Sequence, residues 1–211
     1  MGSCFSKKRT LVVPESDSLK DALGSDLFFP DQHQFVESCV PQAFSFRSPI
    51  MNYIYDNPSS PEVYQKLIRS CKIFYLKNPI LVIQNLSYIH GKGWRYCIED
   101  ECLGNCAKCK EIKMESIQGK IWLAKTFRVC TCPFTDEHSN LASTFIPKIY
   151  RYNANELIIY QQKLSYNDLK FLSTGVKECF LSCFVVKYDN GEKVSHEDII
   201  KFFSSDTKIS K

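Results

Sequence analysis

Asn57-Pro58-Ser59-Ser60-Pro61-Glu62-Val63-Tyr64-Gln65-Lys66-Leu67, running on through Cys71 to Lys77-Asn78-Pro79-Ile80-Leu81-Val82-Ile83, decides how the first half of this chain is read. The prolines and serines of 57–61 interrupt one helix and open another, with Ser60 as N-cap and Pro61 in the first turn. Val63, Leu67, Cys71, Phe74 and Tyr75 then recur at helical spacing and form one apolar face. Lys66, Arg69 and Lys72 lie off that stripe. Asn78-Pro79 stops the helix, and Ile80 to Ile83 reads as a buried strand. Upstream, Ser48-Pro49 supplies a second cap-and-proline pair, followed by Ile50, Tyr53 and Ile54 at helical spacing. The expectation is two short tandem helices and a strand, with order beginning near Phe44.

Downstream, Tyr88 to about Thr135 is strand-like and rich in cysteine and aromatic residues, with Ile121-Trp122-Leu123 and Phe127-Arg128-Val129 as the best strand candidates. Residues 143–150 read as a short helix or turn feeding the next strand. The last third carries a weak repeat. Glu156-Leu157-Ile158-Ile159-Tyr160 and Glu178-Cys179-Phe180-Leu181-Ser182 are 22 positions apart, and each strand precedes a helix-like piece, 167–172 and 195–203. Strand plus helix at that period is a leucine-rich-repeat signature with a degenerate consensus. Asn190-Gly191 marks the strongest hairpin turn of the chain.

The bulk numbers fit a globular chain. Its 211 residues are 44% hydrophobic and 13% aromatic, with a net charge of +4. Lys7, Lys8 and Arg9 account for much of that charge, so the remainder is close to balanced and no basic stripe points to nucleic acid. The first nine residues point to a membrane instead. Met1-Gly2-Ser3-Cys4-Phe5-Ser6 matches the N-myristoylation pattern at Gly2, and Cys4 is placed for palmitoylation. One myristoyl chain holds a protein only marginally, so Cys4 and the three basic residues would provide the second signal. Residues 1–43 read as a disordered, acylated tether. The aliphatic run at 80–83 is far too short to span a bilayer.

Catalytic motifs are missing. There is no phosphate-binding glycine loop, no H-E-x-x-H and no G-x-S-x-G, and His33, His90, His138 and His196 are scattered. The chain therefore reads as a non-enzyme. His90-Gly91-Lys92-Gly93 reads as an exposed turn. The eleven cysteines read as reduced thiols or metal ligands. Within Cys97-x₄-Cys102-x₃-Cys106-x₂-Cys109 and Cys130-x-Cys132, the set Cys106, Cys109, Cys130 and Cys132 has a spacing from which a structural zinc site could be built. Zinc is the one cofactor the sequence offers.

Residues 48–83 resemble an F-box. That family places a proline near the start of a short apolar helix, then a second helix with spaced aliphatics, a cysteine and a nearby aromatic. Here these features are Pro49, Ile50, Ile54, Val63, Leu67, Cys71 and Phe74. Ser48-Pro49 stands where the family has Leu-Pro, and Phe74 or Tyr75 where it has tryptophan. The wording of 57–67 and 77–82, and the tail from Ile146 to Phe203, are similar to a nematode-expanded group of F-box-like proteins with a repeat-like C-terminal half.

The resemblance implies a substrate receptor of a cullin-RING ubiquitin ligase. Pro49, Ile50, Ile54, Val63 and Leu67 would dock on a Skp-type adaptor, and the C-terminal half would present a protein target. The same helices also fit an αα-hairpin packed on its own sheet, in a lipid-anchored interaction protein with no ligase link, stabilised by zinc or not. Exposure of the Val63–Leu67 stripe separates the two. The expected architecture is α+β: a tether (1–43), an F-box-like helical pair (44–84), and a cysteine-rich and leucine-rich-repeat-like region (85–211), cytoplasmic and peripheral on a membrane face.

Overall fold

The computed structural model describes residues 46–98, 108–114, 117, 119–131 and 138–210. The tether with Gly2, Cys4, Lys7, Lys8 and Arg9 lies outside them, as do Cys102, Cys106 and Cys132.

Two long strands organise the fold. β1 (Ile80–Ile89) and β4 (Lys120–Cys130) run parallel side by side, Ile80 opposite Lys120 and Ile89 opposite Cys130, with one register shift between Ile83 and Asn85. β2 (Gly93–Cys97) turns back antiparallel on the outer edge of β1, and β3 (Lys110–Glu111) pairs with β2. On its other edge β4 pairs first with β5 (Ile149–Tyr152) and then with β6 (Glu156–Tyr160). β8 (Glu178–Ser182) and β10 (Lys208–Ser210) continue the parallel run, giving the order β10-β8-β6-β4-β1-β2-β3 with β5 beside β4. β7 (Lys163–Ser165) and β9 (Val185–Lys187) form a separate parallel pair. The sheet is mixed and the architecture is α+β.

The expected repeat spacing reappears as register. Glu156 pairs with Glu178 and Tyr160 with Ser182, and Lys163 with Val185, all at an offset of 22 residues. A helix follows each pair member: α5 (Tyr166–Leu172) and α6 (His196–Ile200). The Asn190-Gly191 turn lies where expected, with Gly191 at φ 86° and the Tyr188 N–H bonded to the Glu192 carbonyl. Residues 141–148 form α4 (Leu141–Phe145) and one 3₁₀ turn leading into β5.

Helices cover both sheet faces. Leu86, Tyr88, Phe127, Val129, Leu157, Ile159 and Leu181 share the main core with Phe145, Leu169, Leu172 and Ile199 from α4, α5 and α6. On the other face, Ile80, Val82 and Trp122 pack beneath Tyr64. That residue belongs to α2 (Pro61–Ser70), which lies between α1 (Ser48–Asp56) and α3 (Lys72–Lys77).

Two expectations are corrected. The stripe from Val63 to Tyr75 is not one helix: Cys71 adopts extended backbone, φ −155° and ψ 121°, and divides α2 from α3. Within α2 the buried face centres on Tyr64, and Val63 is exposed. Ser48 is the first helical residue of α1 and not its cap, which falls on Arg47. Ser60 caps α2 as expected, its hydroxyl accepting from the Val63 N–H. β1 runs through residues 84 and 85, and Tyr64 of α2 packs on Trp122 of the sheet.

Candidate docking surface and thiol cluster

The inner face of α1 is set by Met51 and Tyr55, one turn apart, which pack with Cys71 and Phe74 into a small core. The Tyr55 and Phe74 rings meet edge to face at 5.2 Å. Helical geometry then turns the residues between them outward. Ile50 is 49% exposed, Tyr53 68% and Phe46 61%, and Pro49 is exposed beside them. On α2, Val63 is 42% exposed. Ile54 and Leu67 are half-buried against the small core. The five adaptor-face candidates therefore divide. Pro49, Ile50 and Val63 are open, whereas Ile54 and Leu67 are largely committed to packing.

A polar clasp holds this surface to the sheet. The Tyr64 hydroxyl donates to the Asn78 carbonyl and accepts from the Ile80 N–H at 3.1 Å. The Asn78 amide donates to the Tyr55 carbonyl at 2.9 Å, and its side-chain oxygen accepts from Lys120 Nζ at 3.0 Å. Burial pushes the Tyr64 phenol up to about 12, against the smaller opposing effect of the Ile80 N–H. Behind it, the Trp122 indole donates to Asn153 Oδ1 at 2.7 Å and lies 4.8 Å beneath the Arg151 guanidinium, which also bonds the Pro58 carbonyl. Sequence periodicity pointed to Val63 and passed over Tyr64; its polar partners are Asn78 and Ile80, where α3 gives way to β1, which no helical pattern reports.

The cysteine candidates are placed as follows. Cys109 is buried against Cys97, and these two form a cluster separate from the main core. Cys130, half-buried with its thiol pushed up by burial, ends β4. Tracing the pairing from β3 through β2 and β1 to β4 puts Cys109 and Cys130 three strand spacings apart and four residues out of step. That is roughly 13 Å along the strands and about 14 Å across them, whereas two sulfurs on one zinc lie under about 4 Å apart. The register thus sets Cys109 and Cys130 well apart on the sheet. The two remaining members, Cys106 and Cys132, lie outside the described residues.

Two histidines that looked scattered come together: the His90 and His138 rings meet edge to face at 5.6 Å, and His138 also touches Tyr88. Among the described residues no group of three or more His, Cys, Asp or Glu is arranged to hold a metal. A cleft of about 300 Å³ between β8 and α6 is lined by Leu181, Cys183, Phe184, Ile199, Phe203 and Ile209. No described helix is long and apolar enough to cross a membrane.

Compared with protein-family models, curated proteins and solved structures, the chain matches none.

Proposed function

We propose that this protein is a non-catalytic substrate receptor or adaptor subunit of an SCF-type cullin-RING ubiquitin ligase, tethered to a membrane by acylation at Gly2 and Cys4. The observation that supports the reading is the exposure of apolar side chains, Pro49, Ile50 and Tyr53 on α1 and Val63 on α2. These side chains belong to helices whose opposite faces are already buried, so their exposure is not a requirement of folding. Burying what remains exposed of Ile50 and Val63, about half of each side chain, against a Skp-type adaptor contributes roughly 0.7–1.5 kcal/mol each before the costs of association. The strand-and-helix units stacked from β4 to β10 act as a leucine-rich-repeat-like platform that presents a protein target, with the apolar cleft beside Phe184 and Phe203 as its seat.

The test is a pull-down with the Skp-type adaptor of the source organism, comparing wild type with the double variant Ile50→Asp/Val63→Asp. Both positions are exposed, so the variant is expected to keep the wild-type fold, checked by circular dichroism. Capture of wild type and loss in the folded variant is the expected result. Failure of wild type to bind overturns the ligase reading.

A second reading is favoured by Ile54 and Leu67. Their engagement in the small core leaves a narrower open face, which suits a lipid-anchored interaction module with no ligase link. That reading predicts myristate labelling abolished by Gly2→Ala, together with no capture of the adaptor.

A further inference from the structure

Cys97 ends β2 and Cys109 stands immediately before β3. Arg95 pairs with Glu111 and Tyr96 with Lys110, so one further step of the same register sets Cys97 opposite Cys109. The Ile112 N–H donates to the Trp94 carbonyl at 2.9 Å, which makes 94/112 a hydrogen-bonded position. Positions alternate along an antiparallel ladder, so 97/109 is a non-hydrogen-bonded one, where Cα atoms stand about 4.5 Å apart. A disulfide holds its Cα atoms about 4.4–6.8 Å apart, and its Cβ spacing of about 3.5–4.5 Å meets the short end of the cross-strand range. The bond can therefore form across β2 and β3 with both strands in register.

The surroundings of these two cysteines differ from those of the other buried ones. Cys71 packs with Met51, Tyr55 and Phe74, and Cys179 belongs to the main core, where each serves as a small apolar side chain. Cys97 and Cys109 are buried to a similar depth, at 1% and 6% exposure, yet they cluster with each other and not with either core. Strand alternation explains this: Trp94 and Tyr96 of β2 enter the main core, so Arg95 and Cys97 lie on the opposite face. Arg95 donates to the Cys109 carbonyl, which holds the backbone of Cys109 against β2 and sets a cation beside the pair. The attacking species in thiol–disulfide exchange is a thiolate, and a neighbouring cation favours it.

β3 has two residues, held by two register pairs at the outer edge of the sheet. So short an edge opens locally at low cost, and opening bares Cys109 to a small reagent.

We propose that Cys97 and Cys109 form a reversible disulfide that latches β3 to β2, with glutathione disulfide as the oxidant. The Cys109 thiolate attacks one sulfur of glutathione disulfide, forming a mixed disulfide and releasing one glutathione. The Cys97 thiolate then attacks the Cys109 sulfur, the protein disulfide forms, and the second glutathione leaves. The two cysteines give up two electrons to the oxidant, and their two thiol protons end on the two released glutathiones. The bond closes a ring of thirteen residues, 97–109, and fixes the edge of the sheet in one position. Excess reduced glutathione reverses each step.

The experiment starts from the native full chain, fully reduced, in buffers stepped from reduced glutathione to glutathione disulfide. Acid quench, alkylation and peptide mapping by mass spectrometry follow. A Cys97–Cys109 cross-link is expected in wild type, removed by dithiothreitol. Cys71 and Cys179 are expected to remain thiols, while exposed Cys183 takes up glutathione. Cys97→Ser is expected to trap glutathione on Cys109, the intermediate that wild type resolves. Amide exchange at Lys110 and Glu111 is expected to slow at least about tenfold in the oxidised chain, because the edge no longer opens. The cross-link is read on wild type, so it decides the matter even if the serine variant does not fold. The latch is overturned if Cys97 and Cys109 remain thiols in glutathione disulfide alone, or if either bonds to another cysteine instead. A folded Cys97→Ser chain without glutathione on Cys109, or edge exchange indifferent to oxidation, would overturn it equally.

Discussion

Gln161 and Cys183 stand 22 residues apart, each directly after a strand of the parallel sheet, and both adopt left-handed backbone, φ 55° and 51°. The Gln161 N–H donates to the Ser182 carbonyl at 3.1 Å, so one corner rests on the chain leading into the next. Left-handed backbone costs an ordinary residue about 1–2 kcal/mol. The same strain at the same place in two successive units marks it as the means by which the chain leaves the sheet and turns towards β7 and β9.

Substitutions at these corners test that role. Cys183→Gly is expected to be neutral or stabilising by up to about 1 kcal/mol, because glycine enters this region without steric cost. Cys183→Val is expected to destabilise by about 1 kcal/mol, since a branched side chain crowds the strained backbone further. Urea denaturation of both variants checks the ordering; a valine variant as stable as the glycine one would remove strain from the account.

Tyr64→Phe should separate the clasp from the packing. The ring stays, but the Asn78 carbonyl and the Ile80 N–H lose their buried partner, at about 1–3 kcal/mol. The phenol also predicts a pH effect. Its pKa is raised in the folded state to about 12 from the ordinary 10.0, so its contribution is complete below pH 10 and is lost as pH rises through 12. Denaturation midpoints measured from pH 9 upward should fall less steeply in Tyr64→Phe than in wild type.

Leu67→Asp and Ile50→Asp are expected to behave oppositely. Leu67 packs on the core of Met51, Tyr55, Cys71 and Phe74, and a carboxylate there should destabilise the helical layer by more than about 2 kcal/mol. Ile50 is open, and its aspartate variant should lie within about 0.5 kcal/mol of wild type. Thermal melts of the two variants decide it.

Thiol reactivity should follow burial. Cys179 is buried in the main core and its thiol is pushed up to about 12 by desolvation, whereas Cys183 is exposed. A maleimide pulse on the native chain, read by mass spectrometry, is expected to label Cys183 at least about a hundredfold faster than Cys179.

The box that starts α5 can be tested with Ser165→Ala, expected to cost about 1 kcal/mol. Ser165 Oγ accepts from the Asp168 N–H, and Asp168 Oδ2 accepts from the Ser165 N–H. The same Asp168 oxygen accepts from Ser143 Oγ at 2.7 Å and so ties α4 to α5. Asp168→Ala should therefore lose more than Ser165→Ala.

Local chemistry made part of this architecture readable. Ser60 and Pro61 announce α2, Asn190-Gly191 announces its turn, and the strands at 156–160 and 178–182 fall where their aliphatic runs lie. What stayed hidden depends on distant partners. The pairing of β1 with β4 joins residues about 40 positions apart, and periodicity carries no information on such contacts. Tyr64 was not among the residues of the helical stripe, and its burial depends on Trp122 and on polar groups at the start of β1. Spacing grouped Cys109 with Cys130, while the ladder sets Cys109 against Cys97, because register and not sequence distance decides which thiols meet.

β10 has only three residues, Lys208, Ile209 and Ser210, all exposed, laid parallel along Glu178–Phe180. In terms of self-assembly it is a stopper. A parallel stack presents its last strand as a template on which another chain can add, and a short strand carrying a lysine offers a poor surface for that growth. Without β10 the edge of β8 along Glu178, Cys179 and Phe180 would be bare. The small rung at the end of the sheet thus helps to keep one molecule from becoming a chain of molecules.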